Sequence, residues 1–172
     1  MTATQPTTPA PNPAADASLA QETRRLVAIL EAEERVYLEM RDLLQREREL
    51  MARLDAEGLG EVAREKEALA DEGRLVEESR VVVVTALAQR LGLADERPTL
   101  SRLCEALGAA AAPLRQVHTR LVVLVSVVRE LLDANVAFGN ENLGRVRGTL
   151  QLLGRLLPAE PPDTGRILRR TA

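Results

Sequence analysis

The architecture of this chain follows from two stretches of sequence: residues 26–54, LVAILEAEERVYLEMRDLLQRERELMARL, and residues 59–87, LGEVAREKEALADEGRLVEESRVVVVTAL. In each stretch apolar side chains recur at alternating three- and four-residue steps, a spacing that places them on one face of a helix. The first series is Leu26, Leu30, Tyr37, Met40, Leu44, Met51 and Leu54, and the second is Leu59, Val62, Leu69, Val76, Val83 and Leu87. The two stretches therefore predict two long amphipathic helices.

A single antiparallel register aligns the two series. It pairs Leu54 with Leu59, Leu44 with Leu69, Leu30 with Val83, Leu26 with Leu87 and Met40 with Gly73. The same register sets Glu33 against Arg80 and Glu47 against Lys66, the only lysine of the chain. Two interpretations of these charged pairs stay open. Either the pairs lie in the seam between the two helices and specify the register with little net stabilisation, or Lys66 or Arg80 leaves the seam to bind a carboxylate of a partner protein.

The register predicts a helical hairpin over residues 18–92, with Ser18 as its N-cap and a turn at Gly58 and Gly60. A second apolar line flanks the seam of the hairpin and needs cover from another helix; its members are Ile29, Val36, Leu43 and Leu50.

Two further helices follow the hairpin. A short helix over 99–107 is capped by Thr99 and ended by Gly108, and a long C-terminal helix spans 113–157 with Pro113 in its first turn. The C-terminal helix is apolar on nearly every face from Leu121 to Val128, which predicts burial on all sides against Ile29, Val36 and Leu43. Asn135 and Asn142 interrupt its apolar line at heptad spacing, where polar residues fix register.

Composition favours one all-α domain, an elongated antiparallel helical bundle over residues 18–157. Aromatic residues make up 1% of the chain, whereas sheets draw heavily on them. Residues 1–17 and 158–172 hold few large apolar side chains, and we expect a disordered leader and a disordered tail. A net charge of -3 disfavours nucleic-acid binding, and no apolar run is long enough for a signal peptide or membrane insertion. The chain is expected in the cytoplasm.

Catalytic and metal-binding patterns are missing from the sequence. His118 has no second histidine or cysteine at ligand spacing, and Cys104 lies on the apolar face of the short helix, where packing is the expected role. The acidic run Glu31–Glu34 lacks the Glu-x-x-His pairs of carboxylate-bundle metal sites. We expect neither an enzyme nor a cofactor.

The end of the C-terminal helix combines weak helix propensity with an apolar stripe. Glycines at 139, 144, 148 and 154 dilute the helix while its leucines continue, and each interior glycine costs about 1 kcal/mol relative to alanine. This predicts a helix that is marginal alone yet suited to binding a partner.

The order of these elements resembles the FlgN-type flagellar type III export chaperones over residues 20–155. The resemblance is carried by Glu33 to Tyr37, Glu65-Lys66-Glu67-Ala68-Leu69, Glu78-Ser79-Arg80, Leu91-Gly92-Leu93, Thr99-Leu100-Ser101-Arg102-Leu103, and Leu131 to Phe138 with Asn135. It implies a small cytoplasmic chaperone that binds the C-terminal helical regions of the two hook–filament junction proteins and keeps them soluble before export. It also implies that the C-terminal helical region takes the substrate, and that export apparatus components are further candidate partners.

From the stripe and this resemblance we predict the contact residues Val136, Phe138, Leu143, Val146, Leu150 and Leu153, with Arg145 and Arg147 flanking them. The alternative is a structural coiled-coil adaptor or self-assembling bundle without a chaperone role, in which the uncovered stripe pairs with another copy of the chain.

Overall fold

The computed structural model describes residues 13–93 and 99–156. Within these ranges the chain forms four α-helices and no strand: α1 (Pro13–Arg53), α2 (Ala56–Arg90), α3 (Leu100–Leu107) and α4 (Ala112–Leu156), with a 3-10 helix at Gly108–Ala111. The all-α prediction is confirmed. The predicted loop at 94–98 and tail at 158–172 lie outside the described residues, as does the leader before residue 13.

The chain divides into two compact units, one ending at Asn135 and the other beginning at Val136. The first unit contains α1, α2, α3 and the first part of α4. The described part of the second unit is the remainder of α4. Each unit is described by itself below.

The hairpin of α1 and α2 has the predicted register. The Lys66 Nζ lies 2.5 Å from Glu47 Oε1, and Arg80 Nε lies 3.4 Å from Glu33 Oε2. Arg80 also donates to the carboxylate of Glu77 in its own helix, from Nε at 2.7 Å and from Nη2 at 2.6 Å. Leu26, Leu30, Leu44, Val62 and Leu87 of the two predicted series are fully buried. Both ion pairs therefore lie in the seam of the hairpin.

The turn of the hairpin is tighter than predicted. Helix α1 ends at Arg53 and α2 begins at Ala56, so that Gly58 and Gly60 lie inside α2. Asp55 caps α2 by accepting a hydrogen bond from the Gly58 N–H at 2.9 Å, and Leu54 takes a left-handed φ of 57°. Leu54 is 71% exposed and does not pair with Leu59. The prediction was wrong because an aspartate cap closes the turn before the glycines are reached.

Helix α1 begins at Pro13, five residues before the predicted start. Proline is tolerated in a first turn, and the alanines that follow are strong helix formers. Ser18 is consequently inside the helix rather than its cap. Its Oγ accepts a hydrogen bond from Arg90 Nη1 at 2.8 Å, and the same guanidinium bonds Glu22 at 2.7 Å, which ties the start of α1 to the end of α2.

The core of the first unit consists of two clusters. The larger joins all four helices and includes Leu26, Leu30, Val83, Val84, Leu87, Leu103, Cys104, Ala111, Leu114, Val117 and Leu121. The smaller joins α1 and α4 through Leu44, Leu124 and Val128, with Tyr37, Leu38, Met40 and Leu131 against them. Cys104 packs in this core, as predicted, and burial raises the pKa of its thiol. Thr99 caps α3 and accepts from Arg102 N at 3.3 Å, also as predicted.

Only one face of α4 enters the core. Val122, Val123 and Val127 are 57%, 61% and 37% exposed, so the predicted burial on all sides between residues 121 and 128 is wrong. A run of valines has the hydropathy of a buried segment. The single hairpin of α1 and α2, however, offers α4 only one surface to pack against.

The flanking line of α1 is not covered by α4 as predicted. Val36 packs on α2 instead: its Cγ1 lies 3.3 Å from where a Cβ on Gly73 would sit, so Val36 rather than Met40 comes closest to that glycine. Leu50 similarly approaches Gly58. Leu43 lines a groove formed by α1 and α2 alone. The contact between α1 and α2 thus includes Val36 and Leu50 of the flanking line as well as the first apolar series, and α4 packs on a different part of the α1 surface.

Candidate partner-binding site

A polar node lies at the end of the first unit, just before the predicted site begins. Asn135 is 4% exposed, and its Nδ2 donates to Leu44 O at 2.8 Å and to Glu47 Oε2 at 3.0 Å. Glu47 in turn accepts from Lys66 Nζ. The node links α1, α2 and α4 through hydrogen bonds that hold only in one register, as expected of a polar residue at a seam position. Asn135 Oδ1 is buried without a partner in the described chain.

A second polar contact fixes α4 on α1. Arg120 donates from Nε and Nη2 to the two carboxylate oxygens of Glu34, at 2.7 and 2.8 Å. These bonds hold the pKa of Glu34 below its usual range. At the adjacent Glu33, by contrast, burial raises the pKa by more than the Arg80 charge lowers it.

The second unit contains no buried side chain among residues 136–155. Its large apolar residues are exposed: Val136 62%, Leu143 54%, Val146 47%, Leu150 62%, Leu152 61% and Leu153 50%. Most helical stability in proteins comes from tertiary packing, so this part of α4 gains little stabilisation from the rest of the chain. No heavy atom approaches within 4 Å of where a Cβ would sit on Gly144, Gly148 or Gly154, so packing does not require these glycines.

Five of these side chains form one continuous line. At about 100° per residue, Val136, Leu143, Val146, Leu150 and Leu153 fall within roughly a third of the helix circumference. We call these five residues the apolar stripe. Leu152 is as exposed as Leu150 but projects from nearly the opposite face.

The structure separates the other predicted contact residues from the stripe. Phe138 is half-buried and makes an interaction of its own. Arg145 lies across the helix from the stripe, where its Nη2 binds Glu141 Oε1 at 2.5 Å. Arg147 borders the stripe, is exposed, and forms no ion pair with any residue in the described ranges. Of the two arginines predicted to flank the contact residues, therefore, only Arg147 lies beside the stripe.

One exposed leucine of the first unit was not among the predicted contact residues. Leu132 is 40% exposed, and its spacing of four residues from Val136 in the sequence is the signal that would have identified it.

No helix in the described part of the chain is long and apolar enough to cross a membrane. Likewise, residues 13–93 and 99–156 bring no three His, Cys, Asp or Glu side chains together in a way that could hold a metal ion.

Large apolar side chains exposed along one line of a helix form a surface suited to contact with another helix. The model of the family described as FlgN protein matches residues 22–157. The chain belongs to the FlgN family, a family of chaperones in flagellum assembly. No characterised protein and no solved structure matches it in the corresponding searches.

Proposed function

We propose that this chain is a cytoplasmic export chaperone that binds the C-terminal helical regions of the hook–filament junction proteins and keeps them soluble and export-competent. The observation that supports the proposal best is the apolar stripe, whose five side chains are between 47% and 62% exposed. Membership of the FlgN family supports the flagellar context.

The mechanism is binding without turnover. An amphipathic substrate helix lays its apolar face along the stripe, which removes both apolar surfaces from water. Burial of one leucine side chain contributes about 1.5 to 3 kcal/mol, so a few such contacts suffice for a stable complex despite the cost of ordering the marginal helix. Binding then lowers the concentration of free, aggregation-prone substrate helix by mass action.

The test is a calorimetric titration of the full chain with C-terminal fragments of the two junction proteins. We expect saturable, roughly equimolar binding. Leu150→Asp should weaken it by about thirtyfold, because the charge must be desolvated against an apolar partner surface. Leu152→Asp is the matched control: the same change, two residues away, at equal exposure but off the stripe, and it should leave the affinity unchanged.

Two results would contradict the proposal. Equal losses from Leu150→Asp and Leu152→Asp, with helicity retained, would remove the stripe as the binding surface. Absence of binding by a folded chain would favour the adaptor or self-assembling bundle without a chaperone role.

A further inference from the structure

The hairpin carries a second uncovered surface, here called the hairpin groove, lined by α1 and α2 alone. Its volume is about 570 Å³, its floor is formed by Leu43, Ala68 and Leu69, and its rims by Glu39, Asp42, Arg46, Glu65 and Glu72. Leu43 belongs to the apolar line that needed cover from another helix. In the first unit, α4 packs elsewhere on α1 and leaves this part of the line open.

The rims of the hairpin groove are acidic. Four carboxylates and one guanidinium give its lining a formal charge of -3. Arg46 is already engaged by Glu65 at 3.1 Å and Glu61 at 3.6 Å, and Asp42 is bound by Arg41 at 2.7 Å. Glu39 on one rim and Glu72 on the other form no ion pair or hydrogen bond within the described ranges. The groove therefore presents an apolar floor between two exposed carboxylates that have no protein partner in the described ranges.

The last part of α4 has the complementary chemistry. Its side chains from 136 to 155 include three arginines and one glutamate, a formal charge of +2, and Arg147 borders the apolar stripe without an ion-pair partner among the described residues. The stripe offers large apolar side chains over about three turns, from Leu143 to Leu153. One copy of the chain thus carries both an apolar groove with acidic rims and an apolar helix with a basic flank.

We propose that the hairpin groove binds the apolar stripe of a second copy of this chain. Leu143, Val146 and Leu150 would lie over Leu43, Ala68 and Leu69, and Arg147 would meet Glu39 or Glu72. The contact is heterologous, because the two copies contribute different surfaces. Pairing of like surfaces is less favourable. Contact between two grooves would place acidic rims against acidic rims, and contact between two stripes would leave the apolar floor of both grooves exposed to water.

The consequence is regulatory and rests on the proposed function. A stripe held in the groove of another copy is closed to substrate, so self-association and substrate binding compete for one surface. Without substrate the stripe is shielded from non-specific contacts, and substrate helix displaces the second copy.

Complementation between two variants tests the contact. The first variant, Leu150→Asp, keeps the groove but has a defective stripe. The second, Glu39→Lys with Glu72→Lys, keeps the stripe but has a defective groove. We expect the mass of the full chain, measured by sedimentation, to rise with concentration, and each variant alone to associate about tenfold more weakly or worse. An equimolar mixture of the two should recover a one-to-one heterodimer, since one good groove meets one good stripe.

Matched controls separate this contact from general effects of charge. Leu152→Asp replaces an equally exposed leucine off the stripe, and Glu67→Lys with Glu130→Lys reverses two exposed glutamates away from the groove. Both controls should associate like the unmodified chain.

Three results would overturn the proposal. A monomer at every concentration would exclude a second copy as the occupant, whether the groove is empty or filled from the same chain. Undiminished association of the Glu39→Lys, Glu72→Lys variant would show that stripes pair with each other. A mixture that fails to associate although both variants are folded would show that the two surfaces do not meet. Each result leaves the proposed function separately testable, because the groove variant retains its stripe and should still bind the junction-protein fragments.

Discussion

The two parts of helix α4 have the same kind of sequence and opposite environments. Leu114, Val117, Leu121, Leu124 and Val128 recur at three- and four-residue steps and are at most 9% exposed. The apolar stripe repeats this spacing in the second unit, and its members are 47% to 62% exposed. Periodicity therefore fixes which face of a helix is apolar, but a partner must be present before that face is buried.

Truncation of a leucine in each part should give the largest contrast. Leu114→Ala is expected to lower the free energy of unfolding by about 3 kcal/mol, because a fully buried side chain leaves a cavity. Leu150→Ala should change it by no more than about 0.5 kcal/mol. Urea unfolding followed by far-ultraviolet circular dichroism measures both. Similar losses at the two positions would mean that the stripe is part of the core.

Charge exchange should show a smaller contrast between a seam pair and a surface pair. Glu47→Lys should destabilise the chain by about 2 kcal/mol, because it places like charges together in the seam and removes an acceptor from Asn135. Adding Lys66→Glu should restore part of this loss, with a coupling energy of about 1 kcal/mol in a double-mutant cycle.

The exposed pair Glu141–Arg145 in the second unit is the control for that cycle. Its side chains are 59% and 73% exposed, and exchange of the two charges should give a coupling below about 0.5 kcal/mol. Strictly additive effects at Glu47 and Lys66 would contradict a specific role for that pair in the register.

Replacement of glycine by alanine should give the smallest effects on stability. The sign of the stability change should differ between the two units. Gly148→Ala is expected to stabilise the second part of α4 by about 1 kcal/mol, since nothing lies within 4 Å of the added methyl group. Gly73→Ala gains the same helix propensity but forces Val36 to move, because its Cγ1 would be only 3.3 Å away.

Amide hydrogen exchange measured separately for α2 and α4 reports both glycine changes. We expect slower exchange around residue 148 and little change, or faster exchange, around residue 73. Equal protection at both sites would show that the seam tolerates a larger residue at Gly73 without cost.

The all-α class, the hairpin register and the cap of α3 were predictable because each depends on local spacing or on pairs within one hairpin. Glu33–Arg80 and Glu47–Lys66 fall opposite one another in only one alignment, and the structure contains both contacts. Asn135 was identified as a polar residue in the helix line, but its bonds to Leu44 and Glu47 depend on how α4 lies on α1. No local sequence pattern shows how α4 lies on α1.

The errors arose where one sequence pattern is compatible with two structures. A turn at Gly58 and a turn at Asp55 both satisfy the sequence, and the capping hydrogen bond to Gly58 N favours the earlier one. The apolar face around Val122 was assigned to the core because hydropathy does not count the surfaces available to cover it. Of the predicted contact residues, the five of the apolar stripe lie on one face of the helix, as their spacing indicated, whereas Phe138 and Arg145 project from other faces.

The lone lysine of the chain has a practical consequence for chemistry in solution. The Lys66 amine is hydrogen-bonded to Glu47 and its side chain is only 24% exposed, so an acylating reagent that must reach the amine should modify it slowly. Apart from the chain's own α-amino group, Lys66 is its single amine target. The rate of modification at Lys66 therefore reports how often its hydrogen bond to Glu47 breaks, without any substitution being introduced.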